Sequence, residues 1–237
     1  LYTRPQKFCE NRSEYVTIAK KDISYHPTAN RMSTWIAGGQ CLRIISGKAG
    51  GRLLKSVAGT GTRPTADRVK EAMFSIIGPY FDGGMALDLF AGTGGLGIEA
   101  LSRGMDRAIF VDFDRQCVEV IRDNLMRAGL ADQAEVYRND AERALIALSR
   151  RGLKFDLVLI DPPYRLNVVE SLLDRLDRLG LLHDAATVVA EQDAARELPP
   201  SVGPLHCVRR AEYGDTALWI YRNRNEPRSE LHEQSEK

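Results

Sequence analysis

The residues 88–97 contain a glycine motif of a type that often holds a cofactor. Gly92, Gly94 and Gly97 follow a short apolar run and have Gly-x-Gly-x-x-Gly spacing. Glycines at such a junction allow a tight turn, and they let a ligand approach the backbone without meeting a Cβ atom. The motif alone fits a dinucleotide as well as S-adenosylmethionine. It therefore predicts a cofactor loop and leaves the cofactor open. The residues predicted to line the loop are Asp88, Phe90, Ala91, Gly92, Thr93, Gly94 and Gly97.

Acidic residues stand near the ends of two further predicted strands. Asp112 comes 24 positions after Asp88 and is followed by Phe113. A carboxylate at that place can accept hydrogen bonds from both hydroxyls of a ribose. Asp140, followed by Ala141, can accept from the adenine amino group of a cofactor. It can equally cap the next helix, and the two roles are compatible.

The segment Asp161-Pro162-Pro163-Tyr164 follows the predicted fourth strand and favours methyl transfer over hydride transfer. Its prolines fix φ and remove two N–H donors. The Asp161 carboxylate and the Pro162 carbonyl can then both accept from one amino group, whose two N–H bonds are their complement. Tyr164 offers a flat face on which a base can stack. This acceptor pair suits adenine N6, cytosine N4 or guanine N2, and the motif does not distinguish them.

These motifs need a sheet that brings strand ends together, and the hydrophobic pattern predicts one. Apolar strands alternate with amphipathic helices, which indicates an α/β fold with a mostly parallel sheet covered on both faces. Its ligands are expected beyond the carboxyl ends of the strands. The last two strands are close in sequence and predict an antiparallel C-terminal hairpin. The predicted strands are residues 85–90, 108–111, 134–137, 155–160, 187–191, 205–213 and 216–221.

The organisation expected along the chain has four parts. Residues 1–40 lack a clear period and predict a poorly ordered extension. Residues 41–80 predict a glycine-rich β-hairpin and a helix capped by Thr65. Residues 81–223 form the predicted cofactor-binding domain, and residues 224–237 a polar tail.

Charge is distributed unevenly. The net charge is +1, but residues 1–80 hold 13 Lys and Arg against 5 Asp and Glu, and the rest of the chain is net acidic. Such asymmetry favours a polyanion partner on one face. Arg63 and Thr65 also stand where a loop can close over a cofactor, although Arg63, Asp67 and Arg68 could instead form a local ion-pair cluster. The residues predicted to contact phosphates are Arg43, Lys48, Arg52, Lys55, Arg63, Arg68 and Lys70.

Other classes of protein are disfavoured by composition. There is no uninterrupted apolar run of membrane-spanning length, and the first residues do not resemble a signal peptide, so a cytoplasmic protein is expected. The four cysteines are far apart and predict neither a metal site nor a disulfide framework. A monomer is expected.

Longer stretches resemble a known family. Residues 88–97 together with 161–164 look like the pattern of class I amino-methyltransferases. The stretches RIISGKAGGR (43–52), TRPTADRVKEAMF (62–74) and YGDT (213–216) resemble the bacterial 16S ribosomal RNA (guanine-N2)-methyltransferase family, known as RsmD. The resemblance runs from about residue 41 to 221. In this sequence Asp112 takes the place of the longer Glu that related enzymes often use.

The resemblance implies a seven-stranded Rossmann-like sheet, S-adenosylmethionine as methyl donor, and a guanine of 16S rRNA in an assembling small ribosomal subunit as acceptor. The predicted catalytic residues are then Asp161, Pro162, Pro163 and Tyr164. The alternatives left open are an adenine-N6 methyltransferase acting on DNA or RNA, a nicotinamide-dependent oxidoreductase, and a non-catalytic RNA-binding assembly factor.

Overall fold

The computed structural model describes residues 42–57 and 64–224, with the backbone alone for 64–67. Helices and strands alternate through most of it, as the hydrophobic pattern predicted. The helices are α1 (Pro64–Ile77), α2 (Gly95–Ser102), α3 (Arg115–Ala128), α4 (Ala141–Arg150) and α5 (Val169–Arg178). The strands are β1 (Met85–Leu89), β2 (Arg107–Asp112), β3 (Ala134–Arg138), β4 (Phe155–Ile160), β5 (Leu182–Asp193), β6 (Ser201–Val202), β7 (Leu205–Tyr213) and β8 (Thr216–Asn223).

One sheet carries all of these strands, in the order β3-β2-β1-β4-β5-β8-β7-β6. Strands β1 to β5 pair in parallel, and β5, β8, β7 and β6 pair antiparallel. The chain moves outward from β1 to β3 and then returns to β4 on the other side of β1. This reversal makes the carboxyl ends of β1 and β4 the place where a ligand is expected.

The mostly parallel sheet with its C-terminal hairpin confirms the predicted fold class. Two details differ from the expected seven strands. A two-residue strand, β6, pairs with the start of β7 and makes the sheet eight-stranded. Strand β5 begins at Leu182, not at residue 187, because Leu182 pairs with Phe155 before an irregularity in the register. Ala185, within that irregularity, has φ 63°.

The sheet is buried on both faces by two apolar layers. Ile98, Ile121 and Phe74 from α2, α3 and α1 pack on one face, and Leu145 and Leu172 from α4 and α5 pack on the other. Successive residues of a strand point to opposite faces. Within β1 this sends Asp88 into the layer of α1 to α3 and leaves both neighbouring leucines in the other.

The predicted N-terminal hairpin is present in residues 42–57. Arg43 and Leu53 form an antiparallel bridge, and the Ile44 and Leu54 amides donate to the Arg52 and Leu42 carbonyls at 2.9 and 2.7 Å. The segment 42–57 also docks on the end of α2, where the Lys48 amide donates to the Ser102 carbonyl at 2.8 Å. Gly47 sits so close to that carbonyl that a Cβ atom would come within 1.9 Å of its oxygen. The turn of the hairpin, with its positive φ at Gly47, therefore docks closely on the end of α2.

Glu99 on α2 is the buried residue that fastens this segment. It is fully buried, and its carboxylate accepts from the amides of Ile45 and Ser46 at 2.8 and 3.0 Å. Arg103 Nε donates to it at 2.7 Å, and Lys70 Nζ lies 3.6 Å away. Breaking a buried ion pair on one side typically costs about 3–5 kcal/mol, because the remaining charge stays buried without its counterion. We call these residues the Glu99 cluster.

Several sequence predictions fall outside the described residues. They concern the extension 1–40, Arg63, the side chain of Thr65, and nearly all of the polar tail. The prediction that Thr65 caps the helix is wrong, because α1 begins at Pro64 and Thr65 is its second residue. Within the described ranges, no helix is both long and apolar enough to cross a membrane.

Candidate active site

A cavity of about 490 Å³ opens at the carboxyl ends of β1, β4 and β5. The glycine loop forms one wall, and Asp161 and Tyr164 form another. Glu191 of β5 and the turn between β7 and β8 complete it, with Leu42 and α1 opposite. The volume lies in the range of small-molecule and cofactor sites. The structure thus brings together two motifs that are about 70 residues apart in the sequence.

A glycine stands at each of the three positions of the loop for a different structural reason. Gly94 has φ 78° and is the N-cap of α2. Gly97 packs α2 against β2 so tightly that a Cβ atom would lie 2.4 Å from the Phe110 ring. Gly92 has φ 54°, and the atom nearest to a Cβ there would be the Phe90 carbonyl oxygen, at 3.9 Å. Space beside Gly92 is therefore open to a ligand, as the motif predicted.

Phe90, at the start of the loop, adopts φ 59° although it is not a glycine. Such a conformation is sparsely populated for bulky residues and persists where the surroundings enforce it. Here the next amide, that of Ala91, donates to the Val111 carbonyl at 3.0 Å. The strained residue lines the cavity.

Asp88 anchors the first turn of α2. Its carboxylate is 1% exposed and accepts from the Gly97 amide at 2.8 Å. Burial raises the pKa of Asp88 to about 7, the Gly97 hydrogen bond opposes that rise, and the charge of Asp112 adds to it. Asp88 is also one of the residues that line the cavity.

Asp112, predicted to hold a ribose, also holds the glycine loop. One carboxylate oxygen accepts from the Gly92 amide and the other from the Asp114 amide, both at 2.8 Å. A carboxylate has about four acceptor positions, so capacity for ligand hydroxyls remains. The ribose role stays a prediction.

Phe113 and Asp140 lie at a second cavity of about 420 Å³, apart from the first. The Phe113 side chain is 73% exposed. Asp140 caps α4 by accepting from the Arg143 amide at 3.2 Å, which confirms the capping interpretation. Ala141 is the buried first residue of that helix. Contact of these residues with an adenine stays a prediction.

The loop after β4 presents Asp161 and Tyr164 to the first cavity. Burial raises the pKa of Asp161 well above its usual value, and the negative charges of Glu191 and Asp88 raise it further. The Tyr164 hydroxyl shares a hydrogen bond of 2.6 Å with Thr216 Oγ1 and donates to Glu191 at 3.3 Å. Pro162 is buried and Pro163 is exposed. The aromatic ring is thus held beside two carboxylates.

Sequence reasoning missed the wall formed by Glu191, Tyr213, Asp215 and Thr216. Glu191 ends the predicted fifth strand, so the rule that ligands bind at carboxyl ends could have found it. The other three belong to the turn between β7 and β8. That turn reaches the cavity because β8 pairs antiparallel with β5, opposing Thr216 to Asp193.

Five of the residues predicted to contact phosphates are exposed, namely Arg43, Lys48, Arg52, Lys55 and Arg68. Four of them lie on the segment 42–57, whose Leu42 lines the cavity. Some have local partners: Lys48 donates to Gln133 at 2.8 Å, and Lys55 lies 3.5 Å from Asp123.

Lys70 differs from that prediction. It is only 4% exposed, and its ammonium donates to the Arg43 carbonyl at 2.6 Å beside Glu99. The prediction of a surface phosphate contact is wrong here, because the ammonium is committed to the Glu99 cluster. Helical spacing places Lys70 next to the apolar residue Val69, but it does not reveal a buried acid on another helix.

Comparison with known proteins agrees with this architecture. The model of the family described as Conserved hypothetical protein 95 matches residues 42–222. The chain is 51% identical over 183 residues to the protein YlbH of Bacillus subtilis (strain 168), covering 77% of this chain and all of the relative. It is 33% identical over 187 residues to Ribosomal RNA small subunit methyltransferase D of Escherichia coli (strain K12), covering 78% of this chain and 91% of the relative.

Solved structures extend the comparison. The yhhF protein of Escherichia coli superposes with a TM-score of 0.68 at 32% identity, over 79% of this chain and 100% of that one. An RNA methyltransferase from Salinibacter ruber, in complex with S-adenosyl-L-homocysteine, shares the fold with a TM-score of 0.51 at 20% identity, over 72% of this chain and 100% of that one. The family match spans most of the described residues, and the identity extends over nearly whole relatives. The chain therefore belongs to the RsmD family, that of ribosomal RNA small subunit methyltransferase D.

Proposed function

We propose that this protein transfers a methyl group from S-adenosylmethionine to the exocyclic N2 of a guanine in 16S rRNA, within an assembling small ribosomal subunit. One observation carries the proposal: the glycine loop after β1 and the Asp161–Tyr164 loop after β4 face the same cavity at the switch point of the sheet. The relative from Escherichia coli named Ribosomal RNA small subunit methyltransferase D supports the choice of substrate.

The described residues fit the cofactor. The position beside Gly92 is open, and the loop around it lines the cavity. When bound, S-adenosylmethionine supplies an electrophilic methyl group on a sulfonium. We assign its binding to two sets of residues. Those around the glycine loop are Asp88, Phe90, Ala91, Gly92, Thr93, Gly94 and Gly97, and those near the second cavity are Asp112, Phe113, Asp140 and Ala141.

The acceptor side of the cavity positions the base. A guanine taken out of its stack can lie against Tyr164, and its amino hydrogens can be accepted by Asp161 and the Pro162 carbonyl. Holding these hydrogens localises the nitrogen lone pair, which is otherwise delocalised into the ring. The chain therefore acts chiefly by orienting the reacting nitrogen. The raised pKa of Asp161 makes it a better proton acceptor when N2 releases a proton.

The exposed basic residues of the segment 42–57 can bind phosphates next to this cavity. Such contacts supply affinity and orientation but do not choose the base. Base selection is then left to the cavity itself.

Nucleoside mass spectrometry of small-subunit rRNA from a strain lacking this protein tests the proposal. We expect N2-methylguanine to be lost at one position and restored by the wild-type gene but not by Asp161→Ala. Loss of N6-methyladenine instead would support the adenine alternative. An unchanged set of nucleosides would contradict an enzymatic role.

A further inference from the structure

Glu191 is a second carboxylate in the acceptor side of the cavity, and the proposed mechanism leaves it without a role. It stands near the carboxyl end of β5, opposite Leu218 of β8. The Tyr164 hydroxyl donates to its Oε1 at 3.3 Å and is itself fastened to Thr216. Its negative charge reaches Asp161 strongly enough to raise the pKa of that carboxyl. Two carboxylates therefore border the space beside one aromatic ring.

The edges of the three candidate bases differ at the atom next to the amino group. In guanine, N1–H is a donor beside the N2 amino group, so the edge presents contiguous donors. In adenine and cytosine the neighbouring ring nitrogen is an acceptor. A second carboxylate attracts the donor of guanine and repels the lone pair of the other two. A site built to accept such a hydrogen bond strongly rejects an analogue that lacks it, because its polar group is left unpaired.

We propose that Glu191 is a specificity-determining residue that selects guanine by accepting the N1–H, while Asp161 and Pro162 accept from N2. The inference rests on the proposed function of this site and deepens it. Tyr164 contributes by orienting the Glu191 carboxylate as well as by stacking. The pairing of β5 with β8 brings Thr216 to the hydroxyl that does so.

The test uses small-subunit particles reconstituted with 16S rRNA that is ligated from a synthetic segment and carries either guanine or 2-aminopurine at the methylated nucleotide. 2-Aminopurine keeps the amino group, but its N1 has no hydrogen and is an acceptor. We expect wild-type kcat/KM to favour guanine by about 100-fold or more. In Glu191→Gln the amide can donate to the 2-aminopurine N1, so this ratio should fall to about 10-fold or less, with a gain on 2-aminopurine. 2-Aminopurine also lacks the O6 of guanine. The contribution of N1 is therefore measured by the change in the kcat/KM ratio between the wild type and Glu191→Gln, since both proteins meet the same loss of O6.

Two further variants serve as controls. Glu212→Gln, an exposed residue of β7 outside the cavity wall, should leave both rates unchanged. Asp215→Asn removes another carboxylate from the cavity wall, and it should leave the ratio near the wild-type value.

The proposal is overturned if wild-type enzyme methylates both RNAs equally, a result that needs no variant to fold. It is also overturned if Glu191→Gln slows both substrates by the same factor, or if Asp215→Asn alone compresses the ratio. Failure of the proposed function looks different, since the wild-type protein would then leave the guanine RNA unmethylated.

Discussion

Two groups of carboxylates in this protein, one buried around Glu99 and one partly buried around Asp161, have opposite electrostatic surroundings. Glu99 is met by two backbone amides, an arginine and a lysine, so its charge is compensated within the protein. Burial raises the pKa of Asp161, and the facing carboxylates of Glu191 and Asp88 raise it further. A compensated buried charge holds elements together, whereas carboxylates set against one another favour a ligand that brings hydrogen-bond donors. The difference separates a structural acid from a candidate catalytic one.

The largest expected effect is on catalysis, at Asp161, whose charge is not compensated within the protein. Asp161→Ala should lower kcat/KM for RNA methylation by about 1000-fold, in the range for loss of a group that accepts a proton or positions it. Affinity for S-adenosylhomocysteine, measured by calorimetry, should change by less than about threefold, because Asp161 is assigned to the base. Unchanged turnover in this variant would remove Asp161 from the mechanism.

A substitution in the Glu99 cluster should lower the stability of the protein. Glu99→Ala leaves Lys70 and Arg103 buried without their counterion, and we expect the free energy of unfolding to fall by about 3–5 kcal/mol. Urea denaturation measures this loss. The matched control is Glu119→Ala, which breaks an exposed pair with Arg115 and should cost less than about 1 kcal/mol. Equal losses in the two variants would contradict the contrast.

The pH dependence of activity should show the raised pKa of Asp161. The acceptor role needs the ionised form, so the rate should fall as the pH drops through that raised value. Among the residues that the structure describes, the ionisable groups at the cavity besides Asp161 are Asp88, Glu191, Tyr164, Asp215, Tyr213 and Lys70. Glu191→Gln removes one negative neighbour, which lowers the pKa of Asp161. The acidic limb, normalised to the plateau at high pH, should therefore move to lower pH.

An acidic limb that stays in place in Glu191→Gln would show that the two carboxylates do not interact. Glu212→Gln serves as the control, because its side chain is exposed and pairs with Arg210 on the same strand.

The smallest effect is expected on RNA binding, from the exposed lysines of the segment 42–57. The double variant Lys48→Ala, Lys55→Ala should weaken RNA binding and reduce the slope of log affinity against log salt by about 2, or about 1 for each phosphate contact. Filter binding at several salt concentrations measures this slope. An unchanged slope would mean that the RNA lies elsewhere. Cofactor affinity should not change.

Much of the fold was predictable because it follows from local rules. The period of apolar residues predicted the alternation of strands and helices, and it predicted the central strands within a few residues. Strand β6 was missed because two residues carry no period. The hairpin at 42–57 was predicted, and the Ile44 and Leu54 amides pair its two arms by donating to the Arg52 and Leu42 carbonyls.

Only part of the candidate site could be predicted from the sequence, because some of its residues meet through long-range strand pairing. Gly92 and Asp161 could be predicted as site residues from their residue types and from their positions after apolar strands. The closeness of Glu191 and Thr216 to Tyr164 could not be predicted, since it depends on which strand pairs with β5. Sheet order is a long-range property, and β8 was free to pair elsewhere as far as its sequence shows.

By itself, the sequence determined where the chain turns, which residues alternate between core and surface, and which motifs end the strands. These features depend on glycine and proline dihedrals and on side-chain period, which act over a few residues. Only the tertiary structure decided which carboxylates are neutralised and which are left facing one another. Their partners lie far along the chain, 53 residues from Glu99 to Ser46 and 52 from Tyr164 to Thr216. Electrostatic energy depends on distance in space and on burial, and both arise only when the sheet assembles.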